Sequence, residues 1–156
     1  MNIKNQIEMT QSDVVIRCKP EPGENMNARE RNIRAVEAFL SGLTKKDVDI
    51  MPFAPNVILA TPLDPTHPAV GKEAVVRFLK TQLFPKITVR GAKVERHIVE
   101  GECVATLWEA TFESSRDDKV VLPIFDFFRV EDGAITQIRP HFDPKALNQI
   151  LNGDVQ

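Results

Sequence analysis

The sequence has no excess of charge of either sign. Its 20 lysine and arginine residues nearly balance 22 aspartate and glutamate residues, which leaves a formal net charge of −2 at pH 7 over 156 residues. Proteins that bind nucleic acid or an anionic membrane surface usually carry a basic patch. We therefore expect neither a nucleic-acid partner nor a membrane partner.

Long apolar runs and cysteine frameworks are also lacking. No run approaches the roughly 20 apolar residues that cross a membrane, and the first stretch, MNIKNQIEMTQSDVV, lacks the apolar core of a secretory signal. The two cysteines, Cys18 and Cys103, are too few for a disulfide framework and have no metal-ligand spacing. We expect reduced thiols in a cytoplasmic protein. We expect no metal site, because none of His67, His97 and His141 has ligand spacing either.

The chain divides into an arm and one domain. The segment KPEPGEN (19–25) holds two prolines and a glycine and reads as a linker. We predict an N-terminal arm and linker over 1–27, a domain over 28–151 and a C-terminal tail over 152–156. The domain opens with NARE (27–30), a capping-box pattern, and apolar residues then follow at helical spacing.

Hydrophobic periodicity and turn signals predict the remaining elements. We expect a short second helix near 47–51, a strand over 56–62 and a helix over 72–84. Four strands follow at about 86–99, 102–114, 119–130 and 134–142, and a final helix lies over 143–151. Helices grouped on one side of a mainly antiparallel sheet define the α+β class.

Both faces of the central hairpin are apolar. Alternate residues on strands 102–114 and 119–130 are mostly hydrophobic on either side, whereas an antiparallel sheet in a small monomer usually leaves one face in water. The helices cover one face, and a second copy of the chain is the simplest cover for the other. We therefore predict a homodimer through the outer sheet face, with Trp108, Phe125 and Phe127 as candidate contacts.

Asp126 interrupts the apolar strand VLPIFDFFRV, where an unpaired carboxylate is costly to bury. A four-residue loop at 115–118 places Ser114 opposite Lys119, and Glu109 then lies on the same face as Asp126 and diagonal to it. A slip of one residue would move the two carboxylates to opposite faces. We predict that Asp126 and Glu109 form a catalytic carboxylate pair, with Asp126 anchored to backbone amides or Arg139 as the structural alternative.

The segments FAPNVILATP, AVGKEAVVRFL and IFDFFRVEDGAITQIRPHFD occur in this order. Over about residues 28–151 this arrangement resembles the nuclear transport factor 2-like superfamily, which includes SnoaL-type polyketide cyclases, ketosteroid isomerases and limonene epoxide hydrolases. The resemblance implies a curved sheet wrapped by N-terminal helices around a conical cavity, usually in a dimer. Fold analogy does not settle function, because the site must be argued separately.

The ketosteroid isomerase pattern is matched in part. That family's oxyanion aspartic acid lies in a strand that resembles IFDFFRV, which places the match at Asp126. The family's tyrosine falls near Phe39, and the chain contains no tyrosine. The family's general base falls at Thr61.

The limonene epoxide hydrolase pattern is matched less well. Its Arg-x-Asp pair falls at Leu107 and Glu109, and its aspartate on the last strand falls at Pro140. Its Tyr and Asn fall at Ile58 and Ala60. SnoaL-type cyclases use an acid/base aspartate in a similar cavity, a role that Asp126 or Glu109 could fill.

The sequence thus favours a cofactor-free isomerase, cyclase or dehydratase that acts on a small apolar carbonyl compound. The alternatives are an apolar-ligand-binding protein without catalysis and a domain that only dimerises. The predicted ligand-binding residues are Phe39, Ile58, Ala60, Leu107, Leu122, Ile124 and Phe142.

Overall fold

A computed structural model describes residues 26–152 of the chain. Its helices are α1 (Met26–Lys45), α2 (Lys72–Phe78) and α3 (Pro144–Asn152), with a 3₁₀ turn at Val48–Ile50 and a π-helical turn at Leu79–Leu83 that continues α2. Its strands are β1 (Phe53–Leu59), β2 (Ala69–Val70), β3 (Ile87–Glu100), β4 (Cys103–Ser114), β5 (Lys119–Glu131) and β6 (Ala134–His141). The predicted arm and tail lie almost wholly outside the described residues, so the domain division stays a prediction.

The strands form one six-stranded sheet in the order β2-β1-β6-β5-β4-β3. Strands β3 to β6 make the predicted antiparallel meander. Strand β1 pairs parallel with β6, and the two-residue strand β2 pairs antiparallel with β1. The α+β class and the curved, mainly antiparallel sheet are therefore confirmed, while the parallel pair and β2 are additions that the sequence did not reveal.

Helix α1 covers one face of the sheet, which we call the inner face. Its residues Val36, Phe39, Leu40 and Leu43 follow helical spacing and are buried. The Phe39 ring meets the Phe128 ring of β5 edge-on, with centroids 5.5 Å apart. Within the described residues, no helix is both long and apolar enough to cross a membrane.

The β4–β5 hairpin turns in three residues, not the predicted four. Ser114 N–H donates to the Asp118 carbonyl oxygen at 2.8 Å, and Asp117 N–H donates to the Ser114 carbonyl oxygen at 3.1 Å. Asp117 closes the loop in the left-handed region, with φ of 63°. Because the loop is one residue shorter, Lys119 pairs with Glu113, and every residue of β5 shifts by one against β4.

Cys103 corrects another expectation. This residue is 4% exposed on β4 and is disulfide-bonded, so the expected reduced thiol is wrong here. Cys18 lies outside the described residues. Disulfides persist mainly in oxidising compartments, and the cytoplasmic location stays a prediction.

Candidate active site

Asp126 lies in the middle of β5 and points to the inner face, beneath the helices. It is 2% exposed. Its direct neighbour on β4 is Thr106, and Trp108 pairs with the adjacent inner-face residue Ile124. The Trp108 indole Nε1–H donates to Asp126 Oδ2 at 2.7 Å. Among the described residues Oδ1 has no hydrogen-bond partner, so one carboxyl oxygen is fixed and the other is available.

Burial changes the acidity of this carboxyl. Loss of contact with water raises the pKa of Asp126 from its ordinary value of 3.8 to about 7, because the interior disfavours the charged form. The Trp108 hydrogen bond acts in the opposite direction, since an N–H donor stabilises a carboxylate, but it is the smaller effect. Near neutral pH the group therefore exists in both protonation states.

Asp126 borders a cavity of about 70 Å³ between the helices and the inner sheet face. The lining is almost entirely apolar and includes Phe39, Phe78 and Phe112. Only Thr61, Trp108 and Asp126 bring polar side-chain atoms to this lining among the described residues. The cavity therefore offers an apolar compound a few convergent polar groups, as small-molecule sites usually do.

Three of the seven predicted ligand-binding residues line this cavity: Phe39, Ile124 and Phe142. The other four do not: Ile58, Ala60, Leu107 and Leu122. On β1 and just after it, the cavity-lining residues are Leu59 and Thr61, so the predicted side of that strand was wrong by one position. Because side chains alternate along a strand, a one-residue error exchanges the two faces.

The predicted carboxylate pair is wrong. Glu109 lies opposite Pro123 on β5, is exposed and points to the outer sheet face. The three-residue loop is the physical cause, because it shifts the register by one residue. The same shift places Leu107 on the outer face and brings Trp108 to the inner face. Trp108 is 4% exposed and bonded to Asp126, so it is not the outer-face dimer contact that was predicted.

The positions of the ketosteroid isomerase pattern do meet in the cavity. Phe39, Thr61 and Asp126 all line it. Pro140, at the position of the limonene epoxide hydrolase aspartate, lines it too. The chemistry differs at two of the three, because phenylalanine replaces the tyrosine and threonine replaces the base. The Thr61 hydroxyl accepts the Leu63 backbone N–H at 3.2 Å, which holds this side chain at the cavity wall.

Sequence reasoning missed the polar side chains beside Asp126. The sequence indicates only a core or interface role for Trp108 and suggests no partner for His97. In the structure His97 Nδ1 lies 2.8 Å from Thr106 Oγ1, and Thr106 is the direct cross-strand neighbour of Asp126. A correct three-residue loop was the signal that would have found both Trp108 and Thr106. Over residues 26–152, no group of three or more His, Cys, Asp or Glu side chains could hold a metal ion.

Known structures share this fold. An NTF2-like protein of unknown function from Burkholderia pseudomallei has a TM-score of 0.69 and 18% identity, over 78% of this chain and 97% of that chain. TerC, co-crystallised with polyporic acid, has a TM-score of 0.67 and 18% identity, over 78% and 98%. An LEH-like epoxide hydrolase from M. tuberculosis has a TM-score of 0.65 and 23% identity, over 80% and 91%.

The family comparison covers most of the domain. A search of curated proteins finds no match for the chain. The family model of the SnoaL-like domain matches residues 36–138, about two thirds of the 156 residues. This match spans the sequence from α1 to β6, including Asp126. The chain therefore belongs to the SnoaL-like domain family, and it shares its fold with the NTF2-like protein above.

Proposed function

We propose that the cavity binds a small apolar carbonyl compound and that Asp126 moves a proton on it without a cofactor, as in an isomerase, cyclase or dehydratase. The observation that carries the proposal is the single carboxyl at the wall of an apolar cavity, anchored through Oδ2 and without a described partner at Oδ1. The Glu109 part of the predicted mechanism is dropped, because Glu109 faces away.

The acidity of Asp126 suits this role. General acid–base catalysis is most efficient when the pKa of the group lies near the working pH, and burial raises the pKa of Asp126 to about 7. As a carboxylate, Asp126 removes a proton next to a carbonyl group. As a carboxylic acid, it returns that proton to another atom of the same molecule. One residue can thus complete a proton shift, while Trp108 holds the carboxyl in place.

The fold supports a small organic ligand in this cavity. TerC, which has the same fold, was co-crystallised with polyporic acid. In the present chain the phenylalanine-rich lining favours a compact, largely hydrocarbon body. The three polar positions, Thr61, Trp108 and Asp126, are too few for a highly hydroxylated compound. These features together favour a carbonyl compound with one or two polar atoms.

Hydrogen–deuterium exchange on simple ketones tests the proposal, whichever compound is the natural substrate. The protein is incubated in deuterated buffer with cyclohexenone and related ketones, and deuterium gain next to the carbonyl is followed by NMR. We expect Asp126→Asn to reduce exchange by about 100-fold or more, since a positioned acid or base contributes at least that much. Glu109→Gln is the matched control on the outer face and should retain the exchange.

Equal loss in both variants, or exchange in Asp126→Asn at the wild-type rate, would contradict the proposed role. The second candidate is ligand binding without chemistry. It is favoured by the lack of a second acid or base in the cavity lining among the described residues. Saturable quenching of the single tryptophan by these ketones, with no deuterium gain, would establish this second function instead.

A further inference from the structure

A row of polar side chains crosses the inner sheet face beside the cavity. His97 on β3 pairs with Thr106 on β4, and Thr106 pairs with Asp126 on β5. Thr106 is fully buried, Asp126 is 2% exposed, and the His97 side chain is 11% exposed. Polar groups are costly to bury without partners, so three in one row need an explanation beyond core packing. We call these three residues the polar row.

One end of the polar row comes close to a solvent-exposed carboxylate, although His97 Nε2 itself is buried and has no hydrogen-bond partner among the described residues. His97 Nε2 lies 3.6 Å from Oε1 of Glu37 on α1, and the Glu37 side chain is 58% exposed. His97 Nδ1 lies 2.8 Å from Thr106 Oγ1. A histidine that contacts one polar group through each ring nitrogen can accept a proton on one side and release a proton on the other.

The other end of the polar row meets Asp126. A threonine hydroxyl donates one hydrogen bond and accepts two, so Thr106 can accept from His97 Nδ1–H and still donate its own proton. Side chains directly opposite on antiparallel strands have Cβ atoms about 5 Å apart. A single water molecule is long enough to bridge a hydroxyl and a carboxyl at this spacing. Asp126 Oδ1, without a described partner, is the available acceptor.

We propose that Glu37, His97 and Thr106 form a proton path that connects Asp126 with solvent without passing through the apolar cavity. Neither His97 nor Thr106 lines that cavity, so a bound ligand leaves the path open. After a reaction in which the ligand has kept or given up a proton, the path returns Asp126 to its starting protonation state. This inference deepens the proposed function, but its test needs no ligand.

The proton balance is simple. A proton that the exposed Glu37 carboxyl takes up from solvent passes to the buried His97 Nε2, and the imidazolium releases its Nδ1 proton to Thr106 Oγ1. Thr106 releases its hydroxyl proton through the bridging water to Asp126 Oδ1. The carboxylate becomes a carboxylic acid, and His97 is neutral again as the Nε2–H tautomer. When Asp126 next releases its proton, the same transfers run in reverse and restore the Nδ1–H tautomer. One proton has moved from solvent to Asp126, and no electron is transferred.

The molecule contains its own reporter of Asp126 ionisation. Trp108 is the single tryptophan, and its indole N–H is bonded directly to Asp126. Relaxation-dispersion NMR of the Trp108 indole nitrogen, at the midpoint pH of its titration, measures how fast Asp126 gains and loses its proton. Motions from microseconds to milliseconds fall within the range of this method.

We expect Thr106→Val, which has nearly the same shape but no hydroxyl, to slow the exchange by about 100-fold. Thr106→Ser keeps the hydroxyl and should keep the rate, while His97→Gln should slow it as Thr106→Val does. A purely structural role would change the midpoint pH or the stability but not separate Val from Ser. Thr111→Val on the outer face of β4 and His67→Gln in an exposed loop are the controls.

The outcomes separate the path from the proposed function. Wild-type exchange rates in Thr106→Val and His97→Gln would overturn the path, and so would a Thr106→Ser rate as slow as that of Thr106→Val. If Thr106→Val does not fold, the Thr106→Ser and His97→Gln rates decide by the same criterion. Slowed exchange in a protein that gives no deuterium gain with ketones would support the path and count only against the proposed catalysis.

Discussion

The inner and outer faces of the sheet are equally apolar in sequence but differ in structure. On the inner face, alternate residues of β4 and β5 such as Val104, Ala110 and Phe128 are fully buried beneath the helices. On the outer face, Val121 is 53% exposed, and the half-buried rings of Phe125 and Phe127 pack edge-to-face at 5.0 Å. Composition alone therefore does not reveal which face carries the candidate site.

Two carboxylates on this hairpin show what the difference means. Burial raises the pKa of Asp126 on the inner face. On the outer face, the hydrogen bond from the Arg90 guanidinium at 2.9 Å lowers the pKa of Glu113. The interior disfavours one charge, while an ion pair at the surface favours the other. The two faces of the sheet thus shift the pKa of a carboxyl group in opposite directions.

The largest expected effect is on the pH dependence of stability. Because the pKa of Asp126 is raised from 3.8 to about 7, the folded protein holds this proton over a range in which the unfolded chain releases it. The free energy of unfolding should therefore fall as the pH rises from about 4 to about 7, by about 4 kcal/mol in total. Asp126→Asn should abolish this loss, as measured by urea denaturation at several pH values.

Glu113→Gln is the matched variant on the outer face, where the expected change of stability with pH has the opposite sign. Since the pKa of Glu113 is lowered, its contribution to stability is present above its unfolded pKa and is lost as the pH falls through its folded pKa. This variant should be less stable than the wild type at neutral pH and should converge with it in acid. If the free energy of unfolding changes with pH by the same amount in Asp126→Asn and in the wild type between pH 4 and 7, the difference between the two faces is not electrostatic.

The fold follows largely from local patterns, whereas the site does not. Turn signals such as SRDDK and EDG mark the strand ends, and a left-handed Asp132 and Gly133 form the second of these turns. Alternation of apolar and polar residues normally fixes strand register. In β4 and β5 both faces are apolar, so the alternation pattern does not indicate the register. The register then depends on whether the loop between the strands has three or four residues.

The number of residues in this loop decides which side chains form the site. With four loop residues, Glu109 accompanies Asp126. With three, Trp108 and Thr106 take that place. The side of β1 was equally undetermined, because Ile58 and Leu59 are both apolar and only the long-range parallel pairing with β6 orients them. The position of Asp126 itself could be predicted, since one carboxyl in an apolar strand is visible in the sequence.

The next effect concerns the outer face, which we propose forms a homodimer interface. Phe125 and Phe127 pack with His141 into an aromatic cluster there, with ring centroids 5.0 to 6.4 Å apart. Phe127→Lys should weaken dimerisation by at least about 30-fold, equivalent to about 2 kcal/mol, if this ring is central to the contact. Analytical ultracentrifugation measures the dissociation constant.

The inner face supplies the control for this variant. The Trp108 indole NMR signal should be unchanged in Phe127→Lys, because Phe127 points away from Asp126. An unchanged dissociation constant would remove the outer face as the dimer contact. A shifted indole signal would show instead that the two faces are not independent.

The smallest expected effect tests what sets the register itself. Asp117 closes the three-residue loop at φ of 63°, a conformation that β-branched side chains resist. Asp117→Val should lower the free energy of unfolding by about 1 kcal/mol, and Asp117→Gly should stay within about 0.5 kcal/mol of the wild type. We expect the Trp108 indole signal to stay in place in both variants, because a one-residue slip would also expose the buried inner face. A displaced signal in Asp117→Val alone would mean that one loop residue, and not the packing beneath α1, decides which face carries the site.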